Sequence, residues 1–210
     1  MEISPKIHLL DGTEGSFSYL VLGDEPVLVD TSLASRRDRL VRSLEQCGLK
    51  PTDLAHIVLT HMDVDHIGNA KWLQDASGAT LWAPEVEVPY IHGERKAPGL
   101  RGLIQTMMKV ERPKVTATFR EGEKIGGLEV IPAPGHTIGH VCLLSGDVLL
   151  AGDLVNTRNG KLRPSPGFLT WDKVALQKSL RDVGRRSFDW VCPAHGRPVP
   201  RASWWDVWMN

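Results

Sequence analysis

The chain has 210 residues, 41% of them hydrophobic, and its 25 basic and 25 acidic side chains leave no formal net charge at pH 7. That balance excludes bulk electrostatic attraction to phosphate, so no nucleic-acid partner is expected. No apolar run is long enough to cross a membrane.

In chain order, "KIHLL", "FSYLVLG" and "PVLVDTS" read as three short strands separated by Gly, Asp and Glu turns. From Leu33 to Gly48, apolar residues recur at helical spacing (Leu33, Leu40, Val41, Leu44, Cys47), and Gly48 is a natural stop. "HIVLT" is a further strand. Asp65 is placed as an N-cap ahead of a short helix through "NAKWLQDA", and "ATLWAP" is the next strand, ended by Pro84. Residues 85–115 differ in character, with a Gly/Pro break and a helix expected around Gly102–Val110. Strands then return in "VTATFR", "LEVIPAPG", "HVCLLSG" and "DVLLAGD". A helix over "WDKVALQKSLRDVG", a strand "DWVCPAHG" and a tryptophan-rich tail complete the chain.

This pattern predicts one domain over residues 1–210, built from two halves of roughly 1–84 and 116–210, with 85–115 as a candidate lid insertion. Two mixed sheets flanked by helices are expected. Cys47, Cys142 and Cys192 are odd in number and form no CxxC pair, so they read as buried thiols of a reducing compartment rather than a disulfide framework. The stretch "MEISPKIHLLDGTEG" has no basic region followed by an apolar one. A cytoplasmic protein without a membrane partner is therefore the expectation.

Five of the eight histidines fall in three short segments: His61 and His66 in "HMDVDH", His136 and His140 in "PGHTIGH", and His195 in "CPAHG". A fourth segment, "LLAGDLV", ends an apolar strand in Gly152-Asp153. Each segment sets an apolar strand, then a small residue or turn, then a metal-seeking side chain. If those strand tips share an edge, their imidazoles and carboxylates can bind one or two divalent cations. Such cations relieve the cost of crowding carboxylates near a core. In an extended segment His61, Asp63 and Asp65 project to one side, and His66 is free to serve a different centre.

These four ordered motifs resemble the metallo-β-lactamase superfamily, whose signature is His-x-His-x-Asp-His followed by a lone His, a bridging Asp and a final His. The order matches over nearly the whole chain and includes Asp30 of "VLVDTS". The resemblance implies an α/β four-layer αβ/βα sandwich with metals at one edge of the β-sandwich. It also implies a first metal held by His61, Asp63 and His136, a second held by Asp65, His66 and His195, and Asp153 bridging the two. His140 and Asp30 would orient ligands rather than bind metal. Asp63 departs from the pattern, standing where the family usually has histidine. A carboxylate there hardens the donor set, so two divalent ions are expected with zinc foremost and iron or manganese as alternatives.

The implied chemistry is hydrolysis of an ester, thioester, lactone, amide or phosphoester in a small-molecule substrate, with Asp65 as the catalytic proton carrier. A non-haem di-iron oxidoreductase and a non-catalytic metal-binding protein are the rival readings. His8, His56 and His92 lie outside the motifs and are expected to be structural. The basic residues Arg95, Lys96, Arg101, Lys109, Arg112 and Lys114 are expected on a solvated face. Trp204, Trp205 and Trp208 are expected to seal a core or a homodimer interface.

Overall fold

The structure, a computed structural model, describes residues 1–202 and 205–209. The chain divides into two compact units, Met1–Phe119 and Arg120–Asn210, and residues 85–115 belong to the first.

The first unit is a seven-stranded mixed sheet: β1 (Glu2–Ser4), β2 (Ile7–Leu9), β3 (Tyr19–Val21), β4 (Val27–Val29), β5 (His56–Val58), β6 (Thr80–Ala83) and β7 (Ala117–Thr118), in that spatial order. The first four strands run antiparallel, and β4 to β7 run parallel. Parallel strands need crossovers, which the helices supply. α1 (Arg37–Gln46) buries Leu40, Ser43 and Leu44, and α2 (Ala70–Ser77) buries Ala70 and Leu73. Two more helices, α3 (Val88–Ile91) and α4 (Gly99–Met107), lie between β6 and β7.

The second unit holds a six-stranded mixed sheet of β8 (Lys124–Ile125), β9 (Leu128–Pro132), β10 (Val141–Ser145), β11 (Val148–Gly152), β14 (Trp190–Pro193) and β15 (Val199–Pro200), with β11 and β14 the parallel pair. A separate hairpin joins β12 (Val155–Arg158) to β13 (Lys161–Pro164). α5 (Lys173–Gly184) is capped by Asp172, whose carboxylate accepts from the backbone N–H groups of Val174 and Ala175. Its inner face, Leu176, Leu180 and Val183, joins a core with Ile131, Leu149, Leu154, Phe188, Val191 and Trp205.

The two mixed sheets with flanking helices are those the strand pattern predicts, while several local details differ. α1 starts later than the periodicity suggests, because Ala34–Arg36 form a 3-10 turn first. α4 sits three residues earlier than expected, starting directly after Pro98. Asp65 is not a helix cap, since a turn closed by the N–H groups of His66 and Ile67 on the Asp63 carbonyl occupies that stretch, and α2 begins only after Asn69.

Among the thiols, Cys142 and Cys192 are buried and Cys47 is half-buried, and none forms a disulfide. Burial pushes all three thiols above the ordinary range. Among the described residues no helix is long and apolar enough to cross a membrane.

Trp204 lies outside the described residues, and Trp205 is 0% exposed. The Trp205 indole N–H donates to the Leu180 carbonyl at 2.9 Å, and its ring meets Phe188 and Trp208 edge to face at centroid distances of 5.2 and 5.3 Å. Trp205→Ala should therefore cost about 3–5 kcal/mol in urea unfolding. Trp205→Phe, which keeps an aromatic ring and loses the added bond to the Leu180 carbonyl, an oxygen that still lies within α5, should cost less, about 0.5–1.5 kcal/mol for that bond. Equal midpoints for the two variants would contradict this assignment.

Candidate metal centre

The first unit delivers its polar groups from the ends of two neighbouring parallel strands. β4 and β5 pair in register, Val29 opposite Val58, so the chain leaves both strands at the same edge. Asp30 follows one strand directly; Thr60 and His61 follow the other within three residues. All of these side chains are buried, as is His66.

Asp30 organises the group. Its Oδ1 accepts from the Thr60 backbone N–H at 2.8 Å and its Oδ2 from the Thr60 hydroxyl at 2.7 Å. With its single proton so used, the Thr60 oxygen accepts from His61 Nδ1 at 2.9 Å. Asp30 Oδ2 also lies 2.8 Å from His66 Nδ1, and a carboxylate oxygen already accepting from Thr60 again accepts. Both histidines are thereby assigned the Nδ1–H tautomer from their bonds, which puts the lone pair on each Nε2. The two rings lie 3.9 Å apart, tilted by 51°.

Those Nε2 atoms face carboxylates. His61 Nε2 is 3.5 Å from Asp63 Oδ2, and His66 Nε2 is 3.9 Å from Asp65 Oδ2 and 3.3 Å from the Ser16 hydroxyl. The segment is pinned to the loop after β4. The Thr31 N–H and hydroxyl both donate to the His66 carbonyl, and the Asn69 amide donates to the carbonyls of Thr31 and Leu33. Asp30 and Ser32 adopt φ values of 56° and 55°, a left-handed conformation that costs a non-glycine residue about 1–3 kcal/mol.

In the second unit, β10 runs antiparallel to both β9 and β11, and β11 runs parallel to β14. β9, β11 and β14 therefore point the same way, and the residues after them emerge at one edge of the sheet. His136 lies in the loop after β9, Asp153 directly after β11, and His195 two residues after β14. Asp153 Oδ2 sits 3.3 Å from His136 Nε2 and 3.2 Å from His195 Nε2. The other ring nitrogen of His136 is held at 2.6 Å by the Ser165 hydroxyl.

His140 holds the backbone. Its Nδ1 donates to the Ala133 carbonyl at 3.2 Å, and its Nε2 accepts from the Asp153 backbone N–H at 2.9 Å. A carbonyl can only accept and an amide N–H can only donate, so the ring is assigned as neutral imidazole bridging the β9 and β11 ends. Two glycines allow these loops to approach their supports. A Cβ at Gly135 (φ 135°) would lie 2.3 Å from the Leu176 nitrogen, and one at Gly196 (φ 97°) would lie 2.1 Å from the Thr157 carbonyl oxygen.

Each unit thus brings its own sequence-predicted residues together: His61, Asp63, Asp65 and His66 in the first, and His136, Asp153 and His195 in the second. Four supporting residues escaped the sequence reading. Thr60 and Ser165 steer imidazoles, and Glu87, fully buried, accepts the Met62 backbone N–H at 3.1 Å. Arg101, expected on a solvated face, is only 7% exposed, and its Nε donates to Asp63 Oδ1 at 2.6 Å. Arg95, Lys96, Lys109 and Lys114 are exposed as expected. His56 and His92 play structural parts, accepting from the Trp82 indole and the Val115 N–H.

The donor chemistry fits divalent cations. Neutral imidazoles tied through one nitrogen and offering the other beside carboxylate oxygens are the arrangement that metal sites use. No cysteine belongs to either cluster, so the set is nitrogen and oxygen only.

Comparison with known proteins agrees. Residues 11–195 match the model of the metallo-beta-lactamase superfamily. The chain is 31% identical over 196 residues to the uncharacterized protein YobT of Bacillus subtilis, covering 85% of this chain and 82% of that one. It is 28% identical over 190 residues to the probable metallo-hydrolase MJ0888 of Methanocaldococcus jannaschii, covering 86% and 87%. Among solved structures it resembles TTHA1623 in a di-iron-bound form, with a TM-score of 0.71, 24% identity, and coverage of 88% of this chain and 89% of that one. With this fold, this motif order and a family match along most of its length, the chain belongs to the metallo-β-lactamase superfamily, and so to a group of metal-dependent hydrolases.

Proposed function

We propose that this protein is a hydrolase that cleaves an ester, thioester, lactone or related bond in a small molecule, using water activated at a dinuclear metal centre. The family motif assigns His61, Asp63 and His136 to the first ion, Asp65, His66 and His195 to the second, and Asp153 to both. The observation that best supports this reading is Asp153 Oδ2, flanked by the Nε2 atoms of His136 and His195 at 3.3 and 3.2 Å. One oxygen approached by two imidazole nitrogens is what a bridging carboxylate requires. When bound, two divalent ions lower the pKa of a water toward neutrality and polarise the substrate oxygen.

The chain's own residues do the rest. Asp30, through Thr60 and directly, holds His61 and His66 with their Nε2 lone pairs outward. The Ser165 hydroxyl holds the Nδ1 side of His136, and His140 fixes the backbone that carries Asp153. Asp65, a quarter exposed beside His66, accepts a hydrogen bond from the attacking water and carries the proton to the leaving-group atom. His61, His66 and His136 are themselves buried, which strengthens the hydrogen bonds that hold them.

A second reading, a di-iron oxidoreductase, draws on two specific observations: the carboxylate at Asp63 and the di-iron-bound state of the structural neighbour TTHA1623. Elemental analysis of protein purified without added metal separates the two. Two zinc equivalents with turnover on an ester and thioester panel support the hydrolase; two irons with oxygen or nitric oxide reactivity and no hydrolysis would overturn it.

Asp153→Asn and His66→Ala should each lower metal content and abolish turnover; full activity with intact metal in either variant would remove that residue from the ligand set. Asp30→Asn leaves every proposed ligand in place but breaks the chain that orients two of them. It should weaken zinc binding by about 10–100-fold in chelator competition. An unchanged affinity would show that the tautomer lock is dispensable.

A further inference from the structure

Asp63 brings a negative charge to a position where the family motif usually carries a neutral imidazole. The same unit supplies the opposite charge. Arg101, from α4, is buried and points its Nε at Asp63 Oδ1 at 2.6 Å, while Asp63 Oδ2 faces His61 Nε2 at 3.5 Å. Asp63 thus meets a guanidinium at Oδ1 and an imidazole at Oδ2. A guanidinium does not lose its proton in proteins, so the compensation holds at every working pH.

The helix is built to hold that arginine inward. Arg101 and Gln105 are the buried positions of α4, four residues apart on one face, and the Gln105 side-chain oxygen accepts from the Ala97 N–H at 3.2 Å. A Cβ at Gly102 would lie 2.1 Å from the Ala97 carbonyl oxygen, so the turn before the helix packs tightly against it. Leu100, Leu103 and Met107 face outward. A buried cation calls for an anion beside it, and Asp63, itself 15% exposed, supplies one.

We propose that Arg101 is a positioning residue for the first metal position: it holds Asp63 as a single-oxygen donor and cancels its charge, so that the Asp63–Arg101 pair stands in for the missing histidine. This rests on the reading of Asp63 as a ligand. It makes the residue at 101 and the residue at 63 one functional unit, although 38 positions separate them in sequence.

The test is a four-protein comparison of zinc affinity by chelator competition: wild type, Arg101→Met, Asp63→His and the double variant. Two zinc equivalents in the wild type first establish the metal reading; their absence would sink that reading rather than this one. In the Asp63 protein, Arg101→Met should weaken zinc binding about 10–100-fold, because the carboxylate loses its orientation. In the Asp63→His protein the same change should strengthen binding about tenfold or more, because it removes a buried cation left without its carboxylate beside a metal. The sign must reverse. Simple charge repulsion predicts a gain in both backgrounds, and a merely structural arginine predicts a loss in both. Either result overturns the proposal. Arg101→Gln, neutral but still a hydrogen-bond donor, is carried in parallel with thermal melts, so that a folding defect in the methionine variant does not decide the outcome.

Discussion

A single buried carboxylate, Asp30, governs the candidate ligands of the first unit. Asp30 accepts three hydrogen bonds, two from Thr60 and one from His66, and through the Thr60 hydroxyl it sets the proton on His61 as well. Two imidazoles 3.9 Å apart could otherwise adopt several tautomers and ring orientations. With neutral rings, the bonds to Asp30 and Thr60 leave both Nε2 lone pairs on the side of Asp63 and Asp65. The arrangement has a cost, the left-handed backbone at Asp30 and Ser32, which is tolerated because Thr31, Ser32 and Asn69 bind the two loops together around it.

The second unit reaches a similar end by different means. Three strands running in one direction deliver His136, Asp153 and His195 to one edge, so the sheet topology does the gathering. A neutral histidine, His140, then ties the β9 end to the β11 end through backbone groups alone. In both units the strand sets the position, and a hydrogen bond to the ring nitrogen turned away from Asp63, Asp65 or Asp153 sets the orientation of His61, His66 and His136. This division explains why so many buried polar side chains sit at strand ends without disrupting the apolar core behind them.

The strands and the ligand types were legible because both are local signals. "HIVLT" and "DVLLAGD" announce buried strands by composition, and histidine with aspartate at their ends announces metal chemistry. What escaped depended on partners distant in sequence. Arg101 reads as one of six basic residues in a polar stretch, and nothing nearby shows that it reaches Asp63. Glu87 and Ser165 are equally silent until the fold brings Met62 and His136 to them. One miss was avoidable. Asn159-Gly160, with φ values of 53° and 70°, is the two-residue turn that joins β12 to β13, and that dipeptide is a strong hairpin signal. The expected cap at Asp65 failed for the opposite reason: a local rule was applied where a tighter turn on the Asp63 carbonyl already occupied the chain.

The protein holds the Nδ1 side of His61, His66 and His136, and the proposed hydrolase needs the Nε2 side of each for metal. Long-range proton–nitrogen NMR correlation on the cadmium-substituted protein, with an isotope of cadmium that couples to nitrogen, tests it atom by atom. The expected result is cadmium coupling to Nε2 of all three rings, with the proton retained on Nδ1 of His61 and His66. Coupling to Nδ1 in those two rings, or none in any of the three, would contradict it.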